Sequence, residues 1–272
     1  MNRMRVKKAV RSLLFRTPRV YDLMTSQARY CLLHALGRVH EAEFHALPAL
    51  VGRPDPLVVD VGGNIGQSVL SVLTVLPRAR VVTFEPNPVS CASLQRLAAR
   101  FPRVTVEQVG LSDRTGEALL FCPSYNGKVM AGLASFDREA ASTWLGPDTV
   151  LGFRPDRLHV AEHRLPLRPL DSYGLSPDIV KIDVQGLEPA VIRGGLETIK
   201  RSKPILMVEA EPAGGEADTL LAPLGYRLVG YRDGRFVPLS MATTNRFFVP
   251  NETMAAGTAA GMRQAIGETQ AS

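Results

Sequence analysis

Leu57-Val58-Val59-Asp60-Val61-Gly62-Gly63-Asn64-Ile65-Gly66 decides the fold. An unbroken apolar run that ends in an acid and then in glycines reads as a strand buried on both faces that enters a tight turn. Val69, Leu70, Val72, Leu73 and Leu76 follow at helical spacing and stop at Pro77. The alternation repeats with a strand over 80–84, a helix from Pro88 to Arg100 with Leu94 and Leu97 inward, and a strand over 104–106. It breaks over 116–168, where Glu117 to Phe121 and Val160 to Leu167 read as extended segments flanking a stretch that holds Trp144. It resumes at Ile179-Val180-Lys181-Ile182-Asp183, then a helix through Ile199, a strand Ile205 to Glu209 and a helix ending at Leu220 to Leu224. Tyr226 to Tyr231 and Asn245 to Val249 close the pattern as strands, with Asp233-Gly234 a turn signal between them. Such close alternation predicts an α/β fold, a mostly parallel sheet with helices on both faces.

Composition agrees with a soluble globular chain: 272 residues, 45% hydrophobic and 21% charged. No apolar run approaches the roughly 18 residues of a membrane span. Cys31, Cys91 and Cys122 are odd in number, far apart and without a CxxC pair, which argues against a disulfide scaffold and against zinc. The early apolar stretch Val10 to Phe15 is short and interrupted by Arg11, so no signal peptide is read and a reducing, cytoplasmic setting is expected. Residues 1–38 carry nine Arg/Lys and one acid, whereas residues 39–272 carry 23 bases and 25 acids. The net +6 therefore belongs to the N-terminus. A basic segment with Val6, Val10, Leu13 and Leu14 on one side suits an anionic lipid surface at the inner face of the membrane, or a solvated helix covering the domain. The slightly acidic body speaks against nucleic acid as a partner. Expected organisation is a basic helical extension over 1–50 (two or three short helices ending near Pro48), a main domain over 51–250 with an insertion at about 123–168, and a frayed tail over 251–272.

In a doubly wound sheet, ligands bind beyond the carboxyl ends of the strands, so the Gly62–Gly66 turn and Phe84-Glu85-Pro86-Asn87 face one crevice. Gly62, Gly63 and Gly66 let backbone approach a ligand closely, and the next helix, with Asn64 and Ser68 at its start, offers free N–H groups. Glu85, nineteen residues after Gly66, can accept both hydroxyls of a ribose, pointing to an adenosine compound. The register is G-x-N-x-G with Asp60 two residues earlier, not G-x-G-x-x-G. A carboxylate there suits a ligand with an ammonium or sulfonium end, favouring S-adenosylmethionine over a nicotinamide dinucleotide. No Walker loop occurs.

With Gly110-Leu111-Ser112-Asp113-Arg114-Thr115-Gly116, the block Lys181-Ile182-Asp183-Val184-Gln185-Gly186-Leu187-Glu188 and the strand Pro204 to Glu209, the chain resembles the FkbM family of S-adenosylmethionine-dependent methyltransferases over about 57–250. The resemblance implies a class I (Rossmann-like) methyltransferase fold of seven strands, the last inserted antiparallel. It also implies methylation of a hydroxyl oxygen on a sugar of a glycolipid, an oligosaccharide or a polyketide-type small molecule. Carried over, the glycine loop holds the methionine part, Glu85 with Pro86 and Asn87 the ribose side, and Leu111-Ser112-Asp113 lies beside the adenine. Gln185 departs from the Glu of many relatives.

For the proton that leaves the hydroxyl, Asp183 is the first candidate base, because its strand aims it at the methyl; accepting from the cofactor's amino group is its equal alternative. Glu188 is a candidate base or metal ligand, or a first-turn acid matching the helix dipole. His159 and His163 share a face of an extended segment, and His163 is the histidine candidate for the base. Asp183, Glu188, Glu209 and Glu211 lie at strand or helix ends, but Mg²⁺ bound by them is not favoured, since the spacing is not diagnostic. Asp171 reads as the cap of a short helix, Lys181 as a side chain reaching outward, and Cys91 and Cys122 as buried. The alternatives are a nicotinamide-dependent oxidoreductase on a similar sheet and a non-catalytic binder of S-adenosylmethionine.

Overall fold

The computed structural model describes residues 27–150, 152–184, 186–209, 214–238 and 243–255. The basic apolar-striped segment around Val6 to Leu14, Gln185, Glu211 and most of the tail lie outside them. Twelve strands are present among the described residues: β1 (Leu57–Val61), β2 (Arg80–Phe84), β3 (Val104–Glu107), β4 (Gly110–Leu111), β5 (Gly116–Tyr125), β6 (Lys128–Val129), β7 (Leu158–Arg168), β8 (Ile179–Ile182), β9 (Ile205–Glu209), β10 (Tyr226–Arg232), β11 (Arg235–Val237) and β12 (Asn245–Pro250). The α-helices are α1 (Gln27–Ala35), α2 (Leu47–Leu50), α3 (Gln67–Val75), α4 (Pro88–Ala98), α5 (Arg138–Thr143), α6 (Glu188–Arg193), α7 (Leu196–Ser202), α8 (Glu216–Leu221) and α9 (Asn251–Ala255).

The main sheet runs β11-β10-β12-β9-β8-β1-β2-β3. Strands β3, β2, β1, β8 and β9 are mutually parallel, and β12 inserts antiparallel between β9 and β10. Eight strands stand where seven were expected. The extra one is the short edge strand β11, created by Asp233 (φ 52°) and Gly234 (φ 80°), the left-handed pair that a two-residue hairpin turn requires.

Alternation along the strands sorts the core into two layers. Val58, Val81, Ile179, Ile205, Met207 and Phe247 pack toward α3, α4 and the N-terminal segment, and Val59, Val61, Val180, Ile182, Val208 and Phe248 toward α6, α7 and α8. Each such buried side chain contributes roughly 1.5–3 kcal/mol. Asp60, Lys181 and Glu209 continue the first row at its carboxyl end, so the parity that buries Val58 also carries these charges inward.

A second sheet, β4-β7-β5-β6, covers that end. Strands β5 and β7 pair antiparallel from Gly116↔Leu167 to Tyr125↔Leu158, a longer ladder than the sequence suggested. Tyr125, Met130, Leu145 and Val150 form a small core beneath it.

The N-terminal segment is bound to the domain. Gln27 donates to the carbonyls of Ile65 and Ser93, both at 2.8 Å, and Glu43 Oε1 accepts the Thr244 N–H at 2.9 Å. Pro48 opens α2 rather than ending a helix, in a first turn where its missing N–H costs nothing. The helix expected through Ile199 breaks at Gly194-Gly195; a Cβ on Gly194 would stand 1.9 Å from the Ser112 carbonyl oxygen. Asp171 does cap a helix, but a distant one: its carboxylate accepts the N–H groups of Thr198 (2.7 Å) and Glu197 (3.2 Å) at the start of α7. Among the described residues no helix is long and apolar enough to cross a membrane.

Candidate active site

The turn after β1 is held by its glycines. Gly62 (φ 87°), Asn64 (φ 46°) and Gly66 (φ 97°) are left-handed. A Cβ on Gly62 would lie 1.9 Å from the Asp183 carbonyl oxygen, on Gly63 2.1 Å from Thr83 Oγ1, and on Gly66 2.4 Å from Leu97 Cδ2. Protein fills the space where each Cβ would stand, so the turn threads between β2, β8 and α4, and Gly62 and Asn64 nonetheless line the cleft described below. The Gly62 and Gly63 N–H groups both donate to the Phe84 carbonyl, at 2.9 and 3.1 Å.

The turn and the tip of β2 are joined by Glu85. Its Oε2 accepts the Asn64 N–H at 2.7 Å and its Oε1 the Asn87 N–H at 2.8 Å. Burial pushes the Glu85 carboxyl up to about 7 against the pull of those two donors. Asn87 caps α4 by accepting the Val89 N–H at 3.0 Å. A cleft of about 300 Å³ opens over these groups. Gly62, Asn64, Glu85, Pro86, Asn87, Asp183 and Glu209 line it from the main sheet, and Leu120, Gly132, Ala134 and Phe136 from the second layer. A groove of about 330 Å³ adjoins it between Ala134–Asp137 and the turn after β8, sharing Ala134, Phe136 and Val184 as walls.

Beneath the cleft lies a buried charge cluster. Lys181, 2% exposed, places Nζ 3.1 Å from Asp183 Oδ2 and 4.0 Å from Asp60 Oδ1, which overturns the outward-reaching lysine expected from sequence. Burial works against its charge, but Asp183 and Asp60 outweigh that and hold its pKa above the usual lysine value. Asp60 is fully buried; its Oδ2 accepts Ser68 Oγ and Thr83 Oγ1, each at 2.8 Å, and burial raises its pKa. Glu209 is pushed up to about 7, first by burial and then by the charge and hydrogen bond of Asp183. His40, hydrogen-bonded to Ser71 at 2.8 Å, is lowered to about 4 by burial and by Lys181.

The structure brings Asp60, Glu85 and Asp183 to one end of the sheet, at neighbouring strands. Asp60 and Ser68 stand under the cleft and are not among its walls, so they support the turn and Lys181 instead of meeting a ligand's cationic end. Leu111 is a core residue, Ser112 donates its N–H to the Arg168 carbonyl, and Asp113 pairs with Arg193 at 3.5 Å. None of the three lines the cleft, which departs from the adenine placement. Glu188 is buried, and its carboxylate accepts the Val184 N–H at 3.1 Å and the Gly186 N–H at 2.9 Å. It therefore ties down the turn after β8, correcting its candidacy as base or metal ligand. His163 lies half-buried opposite Leu120 on β7 without lining the cleft, and His159 is exposed. Among the described residues, no three His, Cys, Asp or Glu side chains converge as a metal-ligand set. Glu209, weighed from sequence only as a possible Mg²⁺ ligand, is a cleft wall, and Phe136 is one of several walls that the sequence did not point to. Glu209 carried a signal, an acid at a parallel strand's carboxyl end, whereas Phe136 had none.

A family model described as the methyltransferase FkbM domain matches residues 60–228. Over 175 residues the chain is 33% identical to AMB antimetabolite synthetase AmbE of Pseudomonas aeruginosa, which covers 56% of this chain and 8% of AmbE. Over 169 residues it is 31% identical to 2-O-methyltransferase NoeI of Sinorhizobium fredii, covering 57% of this chain and 63% of NoeI. The match thus spans less than two thirds of either relative. A crystal structure of methyltransferase FkbM from Methylobacillus flagellatus aligns over 76% of this chain and 48% of that one, with 18% identity and a TM-score of 0.49. Since the family match opens at Asp60, takes in the glycine turn, Glu85 and the Asp183–Glu209 pair, and runs into β10, the chain belongs to the FkbM methyltransferase family.

Proposed function

We propose that the chain transfers a methyl group from S-adenosylmethionine to a hydroxyl of an uncharged, sugar-bearing small molecule or glycolipid. The observation that carries the reading is one cleft that joins Glu85 to the acid pair Asp183 and Glu209 at adjacent strand tips. When bound, S-adenosylmethionine supplies an electrophilic methyl group on a cationic sulfur. The residues present fit it. Each Glu85 oxygen spends one lone pair on a backbone N–H and keeps capacity for a ribose hydroxyl. Buried Asp60 and Lys181, with the half-buried cleft walls Asp183 and Glu209, set three carboxyl groups against one ammonium, an excess of acid that favours a cation. Alignment of the hydroxyl against the methyl is then the chain's main contribution to rate.

The adjoining groove suits the acceptor. Among the described residues its walls carry no basic side chain, and the one acid there, Asp137, is turned onto the Glu139 N–H at 2.7 Å to cap α5. Phe136 and Leu187 offer apolar surface beside Ser135, a mixture matched by a carbohydrate ring rather than by a phosphate. That NoeI is named a 2-O-methyltransferase supports oxygen as the atom methylated. The reading includes a cytoplasmic enzyme whose basic N-terminus, residues 1–38, meets anionic lipid at the inner face of the membrane.

Calorimetry with S-adenosylmethionine, followed by mass spectrometry of lipid and metabolite extracts from a strain lacking the gene, tests it. The expected result is binding, and a compound lighter by one CH₂ in the deleted strain; no binding, or no lighter compound, would sink it. Phe136→Ala is expected to raise the acceptor KM about tenfold (about 1.4 kcal/mol) and to leave kcat within about twofold, the mark of lost uniform binding.

A further inference from the structure

The acids at the tips of β8 and β9 act as one unit. Asp183 and Glu209 both open onto the cleft at the ends of adjacent parallel strands, and the charge of Asp183 bears on Glu209. Two neighbouring carboxyl groups resist double ionisation, so one of them keeps its proton to higher pH. Lys181 decides which of them keeps it. Its ammonium sits 3.1 Å from Asp183 Oδ2, whereas among the described residues no cation ion-pairs with Glu209. The charged groups bearing on Glu209 are Asp183 and Lys181 from β8 and Glu188 from α6, while β12 sets the neutral Asn245 in register opposite it. Asp183 is thereby held ionised and the proton stays with Glu209, whose pKa near 7 makes it a better proton acceptor than a carboxylate bound to a lysine.

We infer that Glu209, and not Asp183, is the general base that takes the acceptor's hydroxyl proton, with Lys181 the positioning residue that keeps Asp183 ionised beside it. The inference rests on the methyl-transfer reading above. The acceptor oxygen forms a bond to the methyl carbon as the carbon–sulfur bond breaks. The electron pair of that bond remains on sulfur as a neutral thioether, and the hydroxyl proton passes to the Glu209 carboxylate. Glu209 then returns the proton to solvent through the cleft. A cationic methyl donor beside Glu209 favours its ionised form, so loading the site also arms the base.

The test measures initial rates of tritiated-methyl transfer from S-adenosylmethionine to an extract of the deleted strain, across pH, with the full chain. For the unaltered protein kcat/KM is expected to rise about tenfold per pH unit below about 7 and to level above it. Glu209→Gln is expected to lower kcat by about 10²–10⁴-fold and abolish that rise, while a cooperative thermal melt shows that the variant folds. Asp183→Asn is expected to keep the rise but move it to lower pH, because a like charge has left Glu209. A Glu209→Gln protein that keeps most of its kcat and the pH rise, or an Asp183→Asn protein that loses the rise, overturns the assignment and leaves methyl transfer standing. An unaltered protein that binds the cofactor yet labels nothing overturns both.

Discussion

Glu85→Ala is expected to weaken S-adenosylmethionine binding by about 100-fold, or about 2.7 kcal/mol. The loss has two sources. The carboxylate is the cleft group placed to accept ribose hydroxyls, and charge-assisted hydrogen bonds are about twice as strong as neutral ones. The same carboxylate also fixes the Asn64 and Asn87 N–H groups, so its removal loosens the turn after β1 and the entry to α4 together. Glu85→Gln, which retains the shape but exchanges one acceptor for a donor, is expected to lose about tenfold. A second readout follows from the raised pKa. The folded protein binds a proton at Glu85 between about 4.5 and about 7 that the unfolded chain releases, so this group's contribution to stability falls as pH rises through that window. Thermal melts of the cofactor-free protein should show that decline reduced in Glu85→Ala. Calorimetry showing the alanine variant within about threefold of the parent would remove Glu85 from the ribose site.

Lys181→Met is expected to destabilise the fold by about 3–5 kcal/mol, the usual cost of deleting one member of a buried ion pair. Methionine fills the space but leaves the fully buried Asp60 with two hydroxyl donors and no cation, and leaves Asp183 against Glu209. Adding Asp60→Asn removes the stranded charge and should recover part of the loss, a coupling that urea unfolding of the two single variants and the double variant measures. A Lys181→Met protein within about 1 kcal/mol of the parent would show that the ammonium does not neutralise this cluster.

Much of the sheet was legible because its strands are apolar and its interruptions abrupt. Val58-Val59-Asp60-Val61, Ile179 to Ile182 and Ile205 to Val208 are near-continuous hydrophobic runs, as parallel strands covered on both faces must be. The second layer was harder to read: Glu117, Leu119, Glu162 and Arg164 have one face in solvent, and their partner strand lies some 40 residues away. The same limit concealed Asp171 as the cap of α7, since a side chain's hydrogen-bond partners 26 and 27 residues on leave no local mark.

At the site, residue types were readable and directions were not. Glycines after the first strand, an acid after the second, and acids closing the Ile179–Ile182 and Ile205–Glu209 strands are written in the chain, because local backbone geometry demands the first and strand endings display the others. Whether each acid faces a ligand or the interior depends on what the neighbouring strand places beside it. Lys181 falls in register with Asp60 and so turns inward, Glu188 curls back onto two N–H groups of its own turn, and Asp183 is left beside Glu209 on the wall of the cleft. Charge compensation in a desolvated space is a property of the assembled sheet, because the fully buried Asp60 meets the Lys181 ammonium only once β1 and β8 have paired.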